Sequence, residues 1–236
     1  MTTTVFRFGE PVPYATASRL QEALVARRIS DQVPDVILLL EHTPVVTSGR
    51  RLRDRHFLAS PDALSARGID FAVSSRGGDA TYHGPGQLVL YPILKLAGDL
   101  SDTRGYLRKL EQIAIGAATA CGVSAFERPG KPGAWTKQGK IAAVGFRLRR
   151  WVSQHGMSFN VDPDLSGFSL IVPCGLAGEP VSSLSEILGD ACPSVDSVAL
   201  RMITEMEDVF HRSLRICPIE RLDDLNAVDE VLNAIA

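Results

Sequence analysis

The sequence predicts an α+β fold: a single domain over residues 1–236 whose mixed, mostly antiparallel sheet is flanked by helices. Three observations carry this expectation. Residues 133–162 read as a hairpin continued into a meander. Helical and strand patterns come in blocks, without the regular strand–helix alternation of a doubly wound fold. No repeat, low-complexity tract or long linker divides the 236 residues.

In chain order, Pro11 and Pro13 hold the start extended, and residues 14–28 place Ala17, Leu20 and Leu24 on one face of an amphipathic helix. Val36–Leu40 reads as a buried strand. Two β-rich runs, 69–75 and 87–96, flank a stretch with four glycines, a structured loop between strands. Residues 103–121 form the clearest internal helix, closed by Gly122, where a positive φ is favoured. Strands follow over 134–137, 140–149 and 151–161, the first pair joined by a Gln138-Gly139 turn and the last broken by Asp162-Pro163-Asp164. A short apolar run over 170–174 precedes two helices, 194–213 and 223–235.

Composition narrows the function. Lys and Arg total 25 against 27 Asp and Glu, a net charge of −2, so affinity for phosphate backbones is not expected and nucleic acid is no partner. The start MTTTVFRFGE lacks a basic region followed by an apolar one, and Val36–Leu40 is the longest aliphatic run, far below the roughly 20 residues that span a bilayer. A cytoplasmic protein without a membrane partner is expected. The four cysteines, Cys121, Cys174, Cys192 and Cys217, lie far apart and form no metal or disulfide pattern. One local bias survives: Arg128, Lys131, Lys137, Lys140, Arg147, Arg149 and Arg150 fall between 128 and 150 with no acidic residue. It is either a solvated strand face or a docking stripe for an acidic macromolecule.

The most informative segment is Arg76-Gly77-Gly78-Asp79-Ala80-Thr81-Tyr82-His83-Gly84-Pro85-Gly86-Gln87, followed at Tyr91-Pro92. Closely spaced glycines let backbone N–H groups approach a ligand, while Arg76 and His83 suit a carboxylate, phosphate or carbonyl oxygen. Neither nucleotide-binding glycine spacing is met. His83 and His155 with Asp162 and a cysteine would read as a hydrolase set in isolation. The chain has five lysines among its 25 basic residues, yet Lys137 and Lys140 lie within four positions. Arginine does not deprotonate in a protein, so base work falls to lysine.

The whole run from Arg76 to Pro92 resembles the signature of the lipoyl(octanoyl) transferase family. Further elements match in family order: LLLEHTPVVTSGR over 38–50, Lys140-Ile141-Ala142-Ala143-Val144-Gly145, His155-Gly156-Met157-Ser158-Phe159-Asn160, and Val172-Pro173-Cys174-Gly175. The resemblance implies the fold of biotin and lipoate protein ligases, and a nucleophilic cysteine paired with a lysine. By position, Cys174 is the acyl-thioester residue and Lys140 the group that lowers its pKa. Arg76, Gly77, Gly78, Asp79, Ala80, Thr81, Tyr82, His83, Ala143, Val144, Gly145, Gly156, Met157 and Ser158 line the substrate site.

The implied donor is octanoyl-acyl carrier protein. The implied acceptors are lysines of lipoyl domains, such as the glycine cleavage H protein and 2-oxoacid dehydrogenase acyltransferase subunits, and no metal or nucleotide cofactor is required. Amides of Gly77, Gly78, Ala143 and Gly145 are candidates for the oxyanion. An ATP-dependent lipoate or biotin protein ligase is the alternative, and a non-catalytic acyl-binding module the third reading. Cys121, Cys192 and Cys217 are assigned to packing or to no role, His42 and His56 to strand-end or surface positions, and His211 to a helix face with Arg212. Ser182 stands where the family usually has threonine, and Asp79 has no role beyond lining the loop.

Overall fold

The computed structural model describes residues 2–50, 58–96, 102–172, 178–220 and 227–234. Cys174 and His56, both weighed above, lie outside the described residues.

The large sheet is built from β1 (Thr2–Phe8), β2 (Val36–Leu40), β6 (Gln87–Ile93), β7 (Phe126–Arg128), β8 (Lys131–Trp135), β9 (Lys140–Arg149), β10 (Val152–Asn160) and β11 (Ser213–Ile219). Its order is β11-β1-β2-β6-β10-β9-β8-β7. β1 pairs in parallel with β11 and β2, and every other neighbouring pair is antiparallel, so the expected mixed, mostly antiparallel sheet is found. The expected β8–β9–β10 meander is its second half. A smaller sheet has the order β4-β3-β5, from β3 (Val45–Ser48), β4 (Asp70–Val73) and β5 (Thr81–His83).

The run Val-Ile-Leu-Leu-Leu in β2 is wholly buried because both faces of the sheet are covered. Ile37 and Leu39 join Leu88 and Leu90 beneath α3 (Thr103–Ala120) and α5 (Val195–Phe210). Val36, Leu38 and Leu40 join Val89, Tyr91 and Ile93 against Leu20 and Leu24 of α1 (Tyr14–Ile29) and Val231 of α6 (Ala227–Asn233). A third cluster of Val46, Leu64, Ala80, Tyr82, Leu170 and Ile171 ties the small sheet to α2 (Pro61–Ser65) and a 3-10 turn, Leu165–Leu170.

The helix ends follow local chemistry. Asp102 accepts from the amides of Arg104 and Gly105 at the start of α3, and Gly122, at φ +80°, ends it as expected. Ser194 caps α5 through the Ser197 amide. The expected helix over 194–213 stops sooner, because His211 turns left-handed at φ 53° and Ser213 opens β11. α4 (Leu184–Leu188) is a short helix capped by Ser183. No helix among the described residues is long and apolar enough to cross a membrane.

Candidate active site

A cleft with about 460 Å³ of empty space, its open mouth included, lies where α1, β6, β9 and β10 meet the small sheet. Its lining brings together Arg76, Gly78, Thr81 and His83 with Ala143, Val144 and Gly145 and with Gly156, Met157 and Ser158. The last two groups are rungs of one ladder: Ser158 faces Ala143, Met157 faces Val144 and Gly156 faces Gly145. Gly156 has to be glycine, since a Cβ there would stand 2.3 Å from the Leu90 carbonyl oxygen.

The 76–83 segment divides. β5 alternates, so Thr81 and His83 face the cleft while Ala80 and Tyr82 point into the third hydrophobic cluster. The lining role expected for Ala80 and Tyr82 is therefore not what their side chains do. Gly77 and Asp79 line an adjoining depression that also reaches Lys131 and Lys140. Asp79 receives the Ala80 amide at 2.8 Å, a local turn contact. The Gly77 amide donates to the Phe146 carbonyl at 3.0 Å, so it is withdrawn from the expected oxyanion donors. Arg76 is buried, with its guanidinium donating to the carbonyl and hydroxyl oxygens of Thr47 at 2.9 and 2.8 Å.

Lys140 opens β9 and is buried at 7% exposure. Its amide donates to the Pro180 carbonyl and its carbonyl accepts from the Ser182 amide, a parallel bridge to Val181. The ammonium sits 5.3 Å from the Trp135 ring centroid. It lines a depression shared with Thr81, Ser158 and Asn160, contiguous with the cleft through Thr81, Ala143 and Ser158. Gly133, at φ +122°, makes room for it: a Cβ would stand 2.6 Å from the Lys140 Cε. Ile171 lies in the third cluster, and the Pro180 carbonyl accepts the Lys140 amide.

A buried polar network backs the cleft. His83 Nδ1 lies 2.6 Å from Gln87 Oε1, Gln87 donates to Asn160 at 2.9 Å, and Asn160 donates to the Ser182 carbonyl at 2.9 Å. His42 is fully buried, which corrects the surface reading: its Nδ1 donates to the Val12 carbonyl and its Nε2 accepts from the Tyr91 hydroxyl, both at 2.7 Å. Burial lowers His42 to about 4 and His155 to about 3, with Arg76 and Arg147 adding to the latter. Burial also carries His83 well below the usual histidine value, helped by the adjacent His42, Arg76 and His155. All three rings are neutral at pH 7. His155 holds φ +58° inside β10, an uncommon backbone for a non-glycine residue, and its amide donates to Gln21 at 2.8 Å.

Several of these residues were missed as site members. Gln87 and Asn160 stood inside the motifs that identified the family, whereas Tyr14 and Glu111 sit in ordinary helical patterns. Glu111 accepts the Gly133 amide at 2.8 Å and faces Lys140; burial raises its carboxyl above the usual range. The basic stripe is also shorter than its sequence. Glu179 pairs with Arg128 and Lys131, and Lys140 is buried, leaving Lys137, Arg149 and Arg150 exposed and Arg147 half-buried. Among the described residues Cys121, Cys192 and Cys217 are free thiols, packed at the edges of the two main cores. No described cluster of His, Cys, Asp or Glu is arranged to hold a metal.

The lipoyl protein ligase A/B catalytic domain matches residues 13–207. The octanoyltransferase of Chloroflexus aurantiacus is 44% identical over 218 residues, covering 91% of this chain and 97% of that protein. A bipartite lipoate protein ligase from Thermoplasma acidophilum superposes with a TM-score of 0.72 at 18% identity, over 99% of this chain and 92% of the other. The biotin protein ligase of Aquifex aeolicus gives 0.52 at 13% identity, over 89% and 70%. The fold is thus that of the lipoate and biotin protein ligases. Within it, the chain belongs to the octanoyltransferase family, whose members are acyltransferases.

Proposed function

We propose that the protein transfers an octanoyl group from acyl carrier protein to the acceptor lysine of a lipoyl domain, through a thioester on Cys174. The observation that carries this reading is the convergence of three separate motif segments, 76–83, 143–145 and 156–158, on one cleft with Lys140 at its margin.

In the first half-reaction the Cys174 thiolate attacks the donor's thioester carbon. The new C–S bond forms, the old one breaks, and the carrier sulfur leaves with the electron pair and takes a proton from the Lys140 ammonium, which becomes neutral. A free thiol near pKa 8.5 is only a few per cent ionised at pH 7; a neighbouring ammonium favours the anion, each unit being worth about 1.4 kcal/mol. Lys140 supplies that charge. In the second half-reaction the acceptor amine attacks the acyl-enzyme, a C–N bond replaces the C–S bond, and the surplus amine proton passes to neutral Lys140. The amides of Ala143 and Gly145 turn into the ladder with β10, which leaves the Gly78 amide to steady the oxyanion. Val89, Val144 and Met157 give the cleft an apolar wall, and an eight-carbon chain buried there gains roughly 5 kcal/mol at about 0.8 per methylene. The exposed arginines 149 and 150, with Arg147, form a docking edge for acidic protein partners in the cytoplasm.

The test is intact-mass spectrometry of the protein mixed with octanoyl-acyl carrier protein, without ATP. A single octanoyl adduct is expected, absent from Cys174→Ser and slow to form in Lys140→Ala. Transfer that appears only with ATP and free octanoate would make the protein a ligase instead.

A further inference from the structure

The obligate acceptors behind the cleft assign the protons of His83. The Ser182 carbonyl oxygen only accepts, so the Asn160 atom 2.9 Å from it is the amide nitrogen, and the Asn160 oxygen faces Gln87. The Gln87 nitrogen donates to that oxygen at 2.9 Å and to the Tyr82 carbonyl at 3.3 Å, which turns the Gln87 oxygen toward His83. That oxygen also only accepts, so His83 Nδ1, 2.6 Å away, carries the ring hydrogen. The remaining nitrogen, Nε2, holds a lone pair on a side chain that lines the cleft.

We propose that His83 Nε2 is a proton-free hydrogen-bond acceptor for the attacking amine of the acceptor lysine, held in that tautomer by Gln87 and Asn160 as positioning residues. This rests on the acyl-transfer reading above. Of the reacting groups, the thioester carbonyl and the thiolate only accept, and the amine alone offers N–H. Holding one N–H at Nε2 turns the amine lone pair toward the acyl carbon. The amine nitrogen gains its bond to carbon, sulfur leaves with the C–S electron pair, and the surplus proton goes to Lys140.

His83 orients without taking that proton, because burial and the neighbouring His42, Arg76 and His155 outweigh the Gln87 hydrogen bond, which by itself favours imidazolium. Arg76 stands on the preceding loop, His42 and His155 lie on two other elements, and the Tyr14 and Tyr91 rings complete the walls without a negative charge. The centroids of His42 and Tyr14 stand 5.5 and 6.4 Å from that of His83.

Long-range ¹H–¹⁵N correlation of the imidazoles in the full chain reads the tautomer directly. Hydrogen on Nδ1 and a bare Nε2 between pH 8 and about 5.5 are expected. Hydrogen on Nε2, or imidazolium at pH 7, overturns the proposal. Gln87→Glu sets a carboxylate against Nδ1–H, which raises the His83 pKa. The acid limb of octanoyl transfer from isolated acyl-enzyme to a lipoyl domain should then move up by about one pH unit or more. An unmoved limb overturns it. His83→Ala should slow transfer to the lipoyl domain about tenfold more than it slows acylation; equal losses overturn it too. No acyl-enzyme on the unmutated protein overturns the parent reading and this one together, whereas acyl-enzyme with the wrong tautomer overturns this one alone.

Discussion

Gly133→Ala should destabilise the fold and displace Lys140 through the same added methyl group. At φ +122° any side chain is strained, and the new Cβ would stand 2.2 Å from the Ala142 carbonyl oxygen and 2.6 Å from the Lys140 Cε. Backbone strain of about 1–3 kcal/mol adds to about 1–3 kcal/mol of overpacking, giving roughly 2–6 kcal/mol. Gly122→Ala is the control: its φ is +80°, but nothing lies within 4 Å of the added Cβ, so only the strain remains. Denaturant unfolding measures both losses, and intact mass measures the rate of octanoyl adduct formation. Gly133→Ala should lose more stability than Gly122→Ala and form the adduct more slowly, because the carbonyl stays fixed in the ladder while the lysine methylene moves. Equal destabilisation of the two variants, or undiminished adduct formation in Gly133→Ala, would refute the claim that Gly133 seats Lys140.

Two further outcomes are expected. Reversing Arg147, Arg149 and Arg150 should raise the apparent KM for carrier protein and flatten its dependence on salt, as exposed charges do over a Debye length of about 8–10 Å; unchanged kinetics at low salt would remove this edge as the docking surface. Stability should fall on acidification below about pH 6.5, the ordinary histidine value, toward the folded values of about 4 for His42 and about 3 for His155. The sign follows from proton binding: the unfolded chain takes up these protons and the folded chain does not, so unfolding gains about 1.4 kcal/mol per pH unit for each ring in that window. Urea titrations at pH 7 and pH 5 should show a smaller difference in His42→Gln than in the unmutated protein, and an equal difference would contradict the neutral buried ring.

Much of the fold was legible where one element carries its own pattern. Val36–Leu40 and Lys140–Arg149 have the bounds read from sequence, the first as an aliphatic run buried on both faces and the second as a β-rich run between turns. The outer parallel pair, β1 with β11, was not read. β1 and β11 pair from Thr2↔Ser213 onward, a partnership between opposite ends of the chain that no local window contains, and Pro218 in β11 is tolerated because that strand is an edge. Of the small sheet, β4 lies within the β-rich run 69–75, while β3 and β5, four and three residues long, are too short to carry a pattern of their own. At the site, the motif segments announced themselves, yet their convergence is a matter of register between β9 and β10. His42 was misjudged because a lone histidine after an apolar strand has no sequence partner; Val12 and Tyr91, which hold it, are 30 and 49 residues away. Likewise Glu179 pairs with Arg128 and Lys131 from 51 and 48 residues downstream and offsets one of their two charges, which shortened the apparent basic stripe.

The central claim is tested most directly by chemical competence of the intermediate. Octanoyl-enzyme freed from donor is mixed with an unmodified lipoyl domain in a single turnover, without ATP, and both masses are followed. The account predicts that the octanoyl mass leaves Cys174 and appears on the acceptor lysine at matching rates, at least as fast as steady-state turnover. An adduct that persists while the lipoyl domain is octanoylated only on adding fresh donor would contradict it.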